Sequence, residues 1–178
     1  MEDKISVLID EERLNERIKE MAEQINHDYA GKSIHLIGIL KGSIFALTEL
    51  AKHITVPCTM DFMSVSSYGN GTESSGRVKL VKDLDEGIAG RDVLIVEDII
   101  DSGNTLHYLR QVLSARKPAS LKLCTLLDKP ERRVVDDVTV EYVGFEIPDK
   151  FVVGFGLDYA QKYRNLPYIG VIEESDTN

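Results

Sequence analysis

VLIVEDIIDSGNTL, residues 93–106, sets a buried-looking strand, VLIV, against two acids, Glu97 and Asp98, and then places a third, Asp101, at the mouth of a turn of small residues. That turn, Ser102-Gly103-Asn104-Thr105, leads into a helical pattern through Leu106, Leu109, Val112 and Leu113. Backbone N–H groups of a tight turn at a helix start converge on one point, the helix dipole adds positive potential, and a glycine lets a ligand approach. Such a turn suits a phosphate. Ser102 and Thr105 could add hydroxyl donors, or serve only as helix caps. Carboxylates at the strand end repel an anion, and burying them is costly unless a cation or hydroxyl donors meet them. Magnesium and the hydroxyls of a ribose both qualify. A phosphorylated sugar reconciles the two features, because its phosphate would lie on the turn while its hydroxyls meet the acids.

The same unit occurs earlier. IHLIGIL (34–40) is a continuous apolar run followed by Lys41-Gly42-Ser43 and a helical pattern through Ile44, Leu47, Leu50, Ala51 and Ile54. LKLCTLL (121–127) is a further buried strand, and Leu14, Ile18, Met21, Ala22, Ile25 and Tyr29 recur at helical spacing behind Asp10, an N-cap candidate. Short apolar runs alternating with helices predict an α/β fold whose mainly parallel sheet is covered on both faces, with ligands beyond the C-terminal strand ends. MDFMSVSS (60–67) and RVKLV (77–81) read as two strands joined by a long polar loop, either a hairpin tip or a lid. Residues from 138 onward hold short strands, many turn signals and most of the aromatics. We expect one domain, with a core over about 34–137 and a small hood from the N-terminal segment and about 138–178.

The 178 residues and 43% hydrophobic content suffice for one substantial core. A net charge of −9 disfavours nucleic acid or an anionic membrane as partner, since both need a positive field. The acidic N-terminus has no apolar leader pattern, so a cytoplasmic protein is expected. Cys58 and Cys124 are isolated, which argues against a zinc site or a disulfide.

VEDIIDSGNTL resembles the phosphoribosyl diphosphate motif of type I phosphoribosyltransferases, and the flanking sequence resembles the hypoxanthine(-guanine) phosphoribosyltransferases. The similarity runs through GILKGS (38–43), SSYGNGTESSG (66–76), DKPERR (128–133), VGFEIPDKFVVGFGLDY (143–159) and YRNLPYIGVI (163–172), in matching order and spacing. The resemblance implies a magnesium-dependent purine salvage enzyme. Its substrates would be 5-phosphoribosyl 1-diphosphate and hypoxanthine, with guanine close behind, and its products IMP or GMP and pyrophosphate.

The resemblance also implies residue roles. Asp101 would be the general base near the purine N7. Glu97 and Asp98 would contact the ribose hydroxyls directly or through magnesium, and Asp158 would help hold a second magnesium through water. Ser102, Gly103, Asn104 and Thr105 would hold the sugar phosphate, while Lys41, Gly42 and Arg164 would receive pyrophosphate, with the peptide before Lys41 often cis. Lys150 would donate to the purine O6, Phe151 would stack on the base, and the backbone around Val152 and Asp158 would read its edge. Ser67 and Tyr68 match the mobile catalytic loop. Ser43 stands where many members carry a second Gly, and Asn104 where some carry Lys or Arg; the second departure lacks a phosphate-pairing charge. Members of the family are usually dimers or tetramers. A rival reading is a nucleotide-sensing regulator on the same fold, which would bind RNA without turnover.

Overall fold

The computed structural model describes residues 3–67 and 78–173. Tyr68 and the polar loop after it therefore lie outside the described residues. The first helix, α1 (Glu11–Asp28), starts where expected, because the Asp10 carboxylate accepts the Arg13 N–H at 2.8 Å. Such a cap is typically worth about 1 kcal/mol. Leu14, Ile18, Met21, Ala22 and Ile25 form its buried stripe.

Six strands make the main sheet: β2 (Ile34–Leu40), β3 (Cys58–Ser67), β4 (Val78–Lys82), β5 (Asp92–Ile100), β6 (Ser120–Asp128) and β7 (Tyr142–Glu146). Their order is β4-β3-β2-β5-β6-β7, parallel throughout except for the antiparallel edge strand β4. Leu36, Leu94, Val96 and Leu126 pack with α1 and α2 (Ile44–Lys52) on one face. Ile37, Ile39, Val93 and Ile95 pack with Leu106, Leu109 and Leu113 of α3 (Asn104–Ser114) on the other. Both faces are apolar, which is why the strands read as unbroken apolar runs rather than alternating ones.

A smaller antiparallel sheet joins β1 (Ile5–Ile9), β9 (Ile169–Ile172) and β8 (Val152–Val153), bringing together the two ends of the described chain. The large sheet extends further along the chain than the sequence suggests. Strand β7 pairs in parallel with β6 from Cys124–Tyr142 to Asp128–Glu146, so residues 142–146 belong to the large sheet. Its short mixed sequence, YVGFE, gives no signal of a buried parallel strand; pairing with β6 decides it.

One topological fact places the site. From β2 the chain crosses through α2 to β3 on one side, whereas from β5 it crosses through α3 to β6 on the other. Strand order reverses between β2 and β5, which is where open α/β sheets bind ligands. Pairing of β5 with β2 ends at Val96–Gly38, while pairing with β6 continues to Ile100–Asp128. The last residues of β5 thus stand over an opening on the β2 side.

Candidate active site

A cavity of about 300 Å³ lies at this switch point, lined by Leu40, Gly42, Glu97, Asp98, Asp101, Ser102, Gly103 and Thr105 among others. Glu97 and Asp98 belong to β5 itself, which continues to Ile100 instead of stopping before them. The ladder to β6 explains this, because it carries Glu97 opposite Thr125.

Glu97 is 7% exposed and Asp98 is partly buried. Burial, then the neighbouring Asp98 charge, pushes the Glu97 carboxyl well above the usual range. Burial also raises Asp98, against a hydrogen bond from Glu97, the Ile99 N–H at 2.6 Å and the nearby Arg164 charge. Among the described residues neither acid has an ion pair. A buried acid pair without a cation is a costly arrangement that a ligand can relieve.

Beside them, the turn at 101–104 has the expected form. Gly103 takes φ +90°, and the N-terminus of α3 has no side-chain cap. The Ser102 hydroxyl accepts the Asn104 N–H at 3.3 Å, and Thr105 caps nothing. First-turn N–H groups of a helix have no partners within it, and Ser102, Gly103 and Thr105 line the cavity where this turn stands. Asp101 is exposed, and its carboxylate pairs with Arg132, whose Nε lies 3.6 Å from Asp101 and 3.2 Å from Asp149.

Close backbone packing closes the third side. The Leu40–Lys41 peptide is cis, and a Cβ on Gly42 would overlap the Asp98 carboxylate. Gly156 in turn lies on the Gly42 carbonyl, so a side chain there would also collide. Lys41 and Arg164 converge on one group: the Gln161 amide oxygen accepts Lys41 Nζ and an Arg164 nitrogen, each at 3.2 Å. Arg164 also donates to the Gly156 carbonyl at 2.7 Å and pairs with Asp158 at 3.3 Å, while its buried Nε has no partner.

Asp158 is the acid that the resemblance implies for a second magnesium. It accepts the Gln161 N–H at 2.8 Å and pairs with Arg164, and the described residues contain no cluster of three potential metal ligands. Glu97 and Asp98 still fit magnesium, an ion that takes few protein ligands and fills its octahedron with substrate oxygens and water. Phe151 is 54% exposed and meets Tyr159 edge-on at 5.6 Å, leaving a ring face open. Val152 is buried at the start of β8, and Lys150 is exposed. Ser67 is the last residue of β3.

Three charged residues at this edge had no role in the sequence reading. Lys129 is only 6% exposed, has no ion pair among the described residues, and is tied by its N–H to the Ile100 carbonyl at 3.0 Å. Arg132 and Arg133 follow it in DKPERR, a charge cluster directly after a buried strand, and that position was the available signal.

The fold and this edge are those of a phosphoribosyltransferase. The phosphoribosyl transferase domain family matches residues 8–160, and the chain belongs to that family. It is 53% identical to the hypoxanthine phosphoribosyltransferase of Salmonella typhimurium over 97% of both chains. It is 52% identical to the hypoxanthine-guanine phosphoribosyltransferase of Streptococcus thermophilus, covering 97% of this chain and 95% of that one. A crystal structure of a hypoxanthine-guanine phosphoribosyltransferase from Bacillus anthracis superposes with a TM-score of 0.91 at 55% identity, covering 97% of this chain and all of the other.

Proposed function

We propose that this chain serves purine salvage in the cytoplasm by transferring the 5-phosphoribosyl group of 5-phosphoribosyl 1-diphosphate to hypoxanthine, and also to guanine. A bond forms between the purine nitrogen and C1 of the ribose, pyrophosphate leaves, and IMP or GMP results. The observation that carries this reading is the Glu97–Asp98 pair, raised by burial and without an ion pair among the described residues, directly beside the glycine turn at the start of α3. It supplies cation and hydroxyl acceptors next to phosphate donors, as a sugar phosphate requires.

Asp101 is the proposed proton acceptor at the purine, and the exposed position of its carboxylate leaves it able to meet the base. Negative charge nearby also favours a ribosyl centre that becomes cationic as pyrophosphate departs. Magnesium, held by Glu97 and Asp98, would neutralise the diphosphate oxygens. Lys41 and Arg164 are proposed to receive pyrophosphate, Phe151 to stack on the base, the backbone around Val152 and Asp158 to read its edge, and Ser67 and Tyr68 to belong to the loop that excludes water.

A lysine facing the purine O6 selects an oxo group over the amino group of adenine, since a donor opposite a donor leaves both unpaired. Lys150 is proposed for this role. The burial of Lys129 without a carboxylate partner favours it as a second donor on the same edge. The enzyme is proposed to assemble as a homodimer or homotetramer, which sedimentation would test.

The deciding experiment is a competition: purified protein, magnesium and 5-phosphoribosyl 1-diphosphate with equal hypoxanthine, guanine, xanthine and adenine, read by mass spectrometry. IMP and GMP are expected first. Equal use of adenine would overturn the specificity argument, and no nucleotide from any base would overturn the activity.

A further inference from the structure

The segment after β6 grips the phosphate-binding turn from beneath. Arg133 donates through Nε to the Asp101 carbonyl at 3.3 Å, and its terminal nitrogen makes a short ion pair with Asp128. Its aliphatic stem lies under Gly103, where a Cβ would come within 3.0 Å of Arg133 Cδ. The chain then continues the contact, since the Val134 N–H donates to the Ser102 carbonyl at 2.9 Å. Three consecutive residues of the turn are therefore held by one arginine and the peptide after it. Asp128 is buried at the end of β6 and directly opposite Ile100 in the ladder. The arginine thus links a rigid point of the sheet to the turn.

We propose that Arg133, anchored on Asp128, is a positioning residue: it fixes the backbone of Asp101–Gly103 so that the turn's N–H groups meet the sugar phosphate and the Asp101 carboxylate keeps its place. The inference rests on the function proposed above. A guanidinium suits the task because its planar fork reaches a carboxylate and a carbonyl at once, which an ammonium on a flexible stem does not reproduce. Arg133 touches no reacting atom. Its influence passes through the turn, so it should act on sugar-phosphate binding more than on purine binding.

Arg133→Ala is the test, with the KM of each substrate, kcat, calorimetric binding of 5-phosphoribosyl 1-diphosphate with magnesium, and thermal unfolding measured together. We expect the KM and Kd for 5-phosphoribosyl 1-diphosphate to rise roughly tenfold or more, the scale of a lost charged hydrogen bond, while the hypoxanthine KM stays within about twofold. Millimolar guanidinium should restore part of the lost affinity, and Arg133→Lys should restore less than it. A lowered unfolding temperature with unchanged sugar-phosphate binding would overturn the proposal, as would equal losses for both substrates. Should the alanine variant not fold, Arg133→Lys alone decides, because unchanged sugar-phosphate binding in it would equally reject the role. If the wild-type protein forms no nucleotide, the activity reading fails, while the calorimetric comparison of wild type and variant still judges the positioning role.

Discussion

Strands β5 and β6 lie side by side in the sheet, and each carries acid at its carboxyl end, but they treat that acid in opposite ways. Asp128, ending β6, is 9% exposed and paired with Arg133, whose charge opposes the effect of burial on its carboxyl. Glu97 and Asp98, near the end of β5, are pressed together with no ion pair among the described residues, and both carboxyls are raised by burial. The paired acid stabilises a link between strand and turn. The unpaired acids raise the energy of the empty protein and leave room for something positive. Where a sheet edge offers both solutions within three ladder positions, the pair without an ion partner marks the ligand.

The largest expected effect lies just beyond this comparison. Asp101→Asn should lower kcat by ~10²- to 10⁴-fold, the usual cost of a positioned base, with a smaller change in the KM for 5-phosphoribosyl 1-diphosphate. Steady-state kinetics with hypoxanthine would show it, and unchanged turnover would remove Asp101 from the chemistry.

Asp128→Asn attacks the paired side. It leaves the Arg133 guanidinium without its carboxylate and should destabilise the fold by about 2 to 3 kcal/mol, less than for a wholly buried pair because the arginine side chain is 21% exposed. Denaturant unfolding measures this directly.

Asp98→Asn attacks the unpaired side and should move stability the other way. In metal-free buffer we expect a gain of about 1 kcal/mol from removing one of two crowded acids. The same variant should lose the rise in unfolding temperature that magnesium with 5-phosphoribosyl 1-diphosphate gives the wild type. A destabilised variant would mean the acid pair is already satisfied within the chain, and the comparison would collapse.

The smallest effect concerns a third way of burying an ionisable group. His35, 3% exposed near the amino end of β2, bonds the Thr59 hydroxyl at 2.7 Å through Nδ1, and its Nε2 has no partner. Burial first and the Arg91 charge second hold its pKa below the ordinary 6.5, against Asp61 and Glu86. The folded chain then binds fewer protons than the unfolded chain below pH 6.5, so stability falls as the pH drops through that value and below. His35→Gln should flatten this part of the curve, and an unchanged slope would mean that other groups produce it.

Much of the site was legible because it is local. Glu97, Asp98, Asp101 and the turn to Thr105 stand within nine residues, and their charge and size already state a conflict that a phosphorylated sugar would reconcile. Lys41, Asp158 and Arg164 are far apart in sequence, and only resemblance connected them. The structure brings Lys41 and Arg164 onto Gln161 and pairs Asp158 with Arg164. Lys129 and Arg133 entered the sequence reading only within DKPERR, a segment of the resemblance, because burial and pairing partners leave no trace in such a run.

By itself the sequence determined the alternating strands and helices of the core, its two-sided packing and the glycine turn after β5, since periodicity, caps and small residues act over a few neighbouring positions. Only the tertiary structure decided which acids are neutralised, where β5 outruns β2, and that β7 joins the large sheet. Those outcomes depend on ladder register and on contacts between residues distant in the chain, and a charge acquires its cost or its partner only when the surrounding sheet has closed around it.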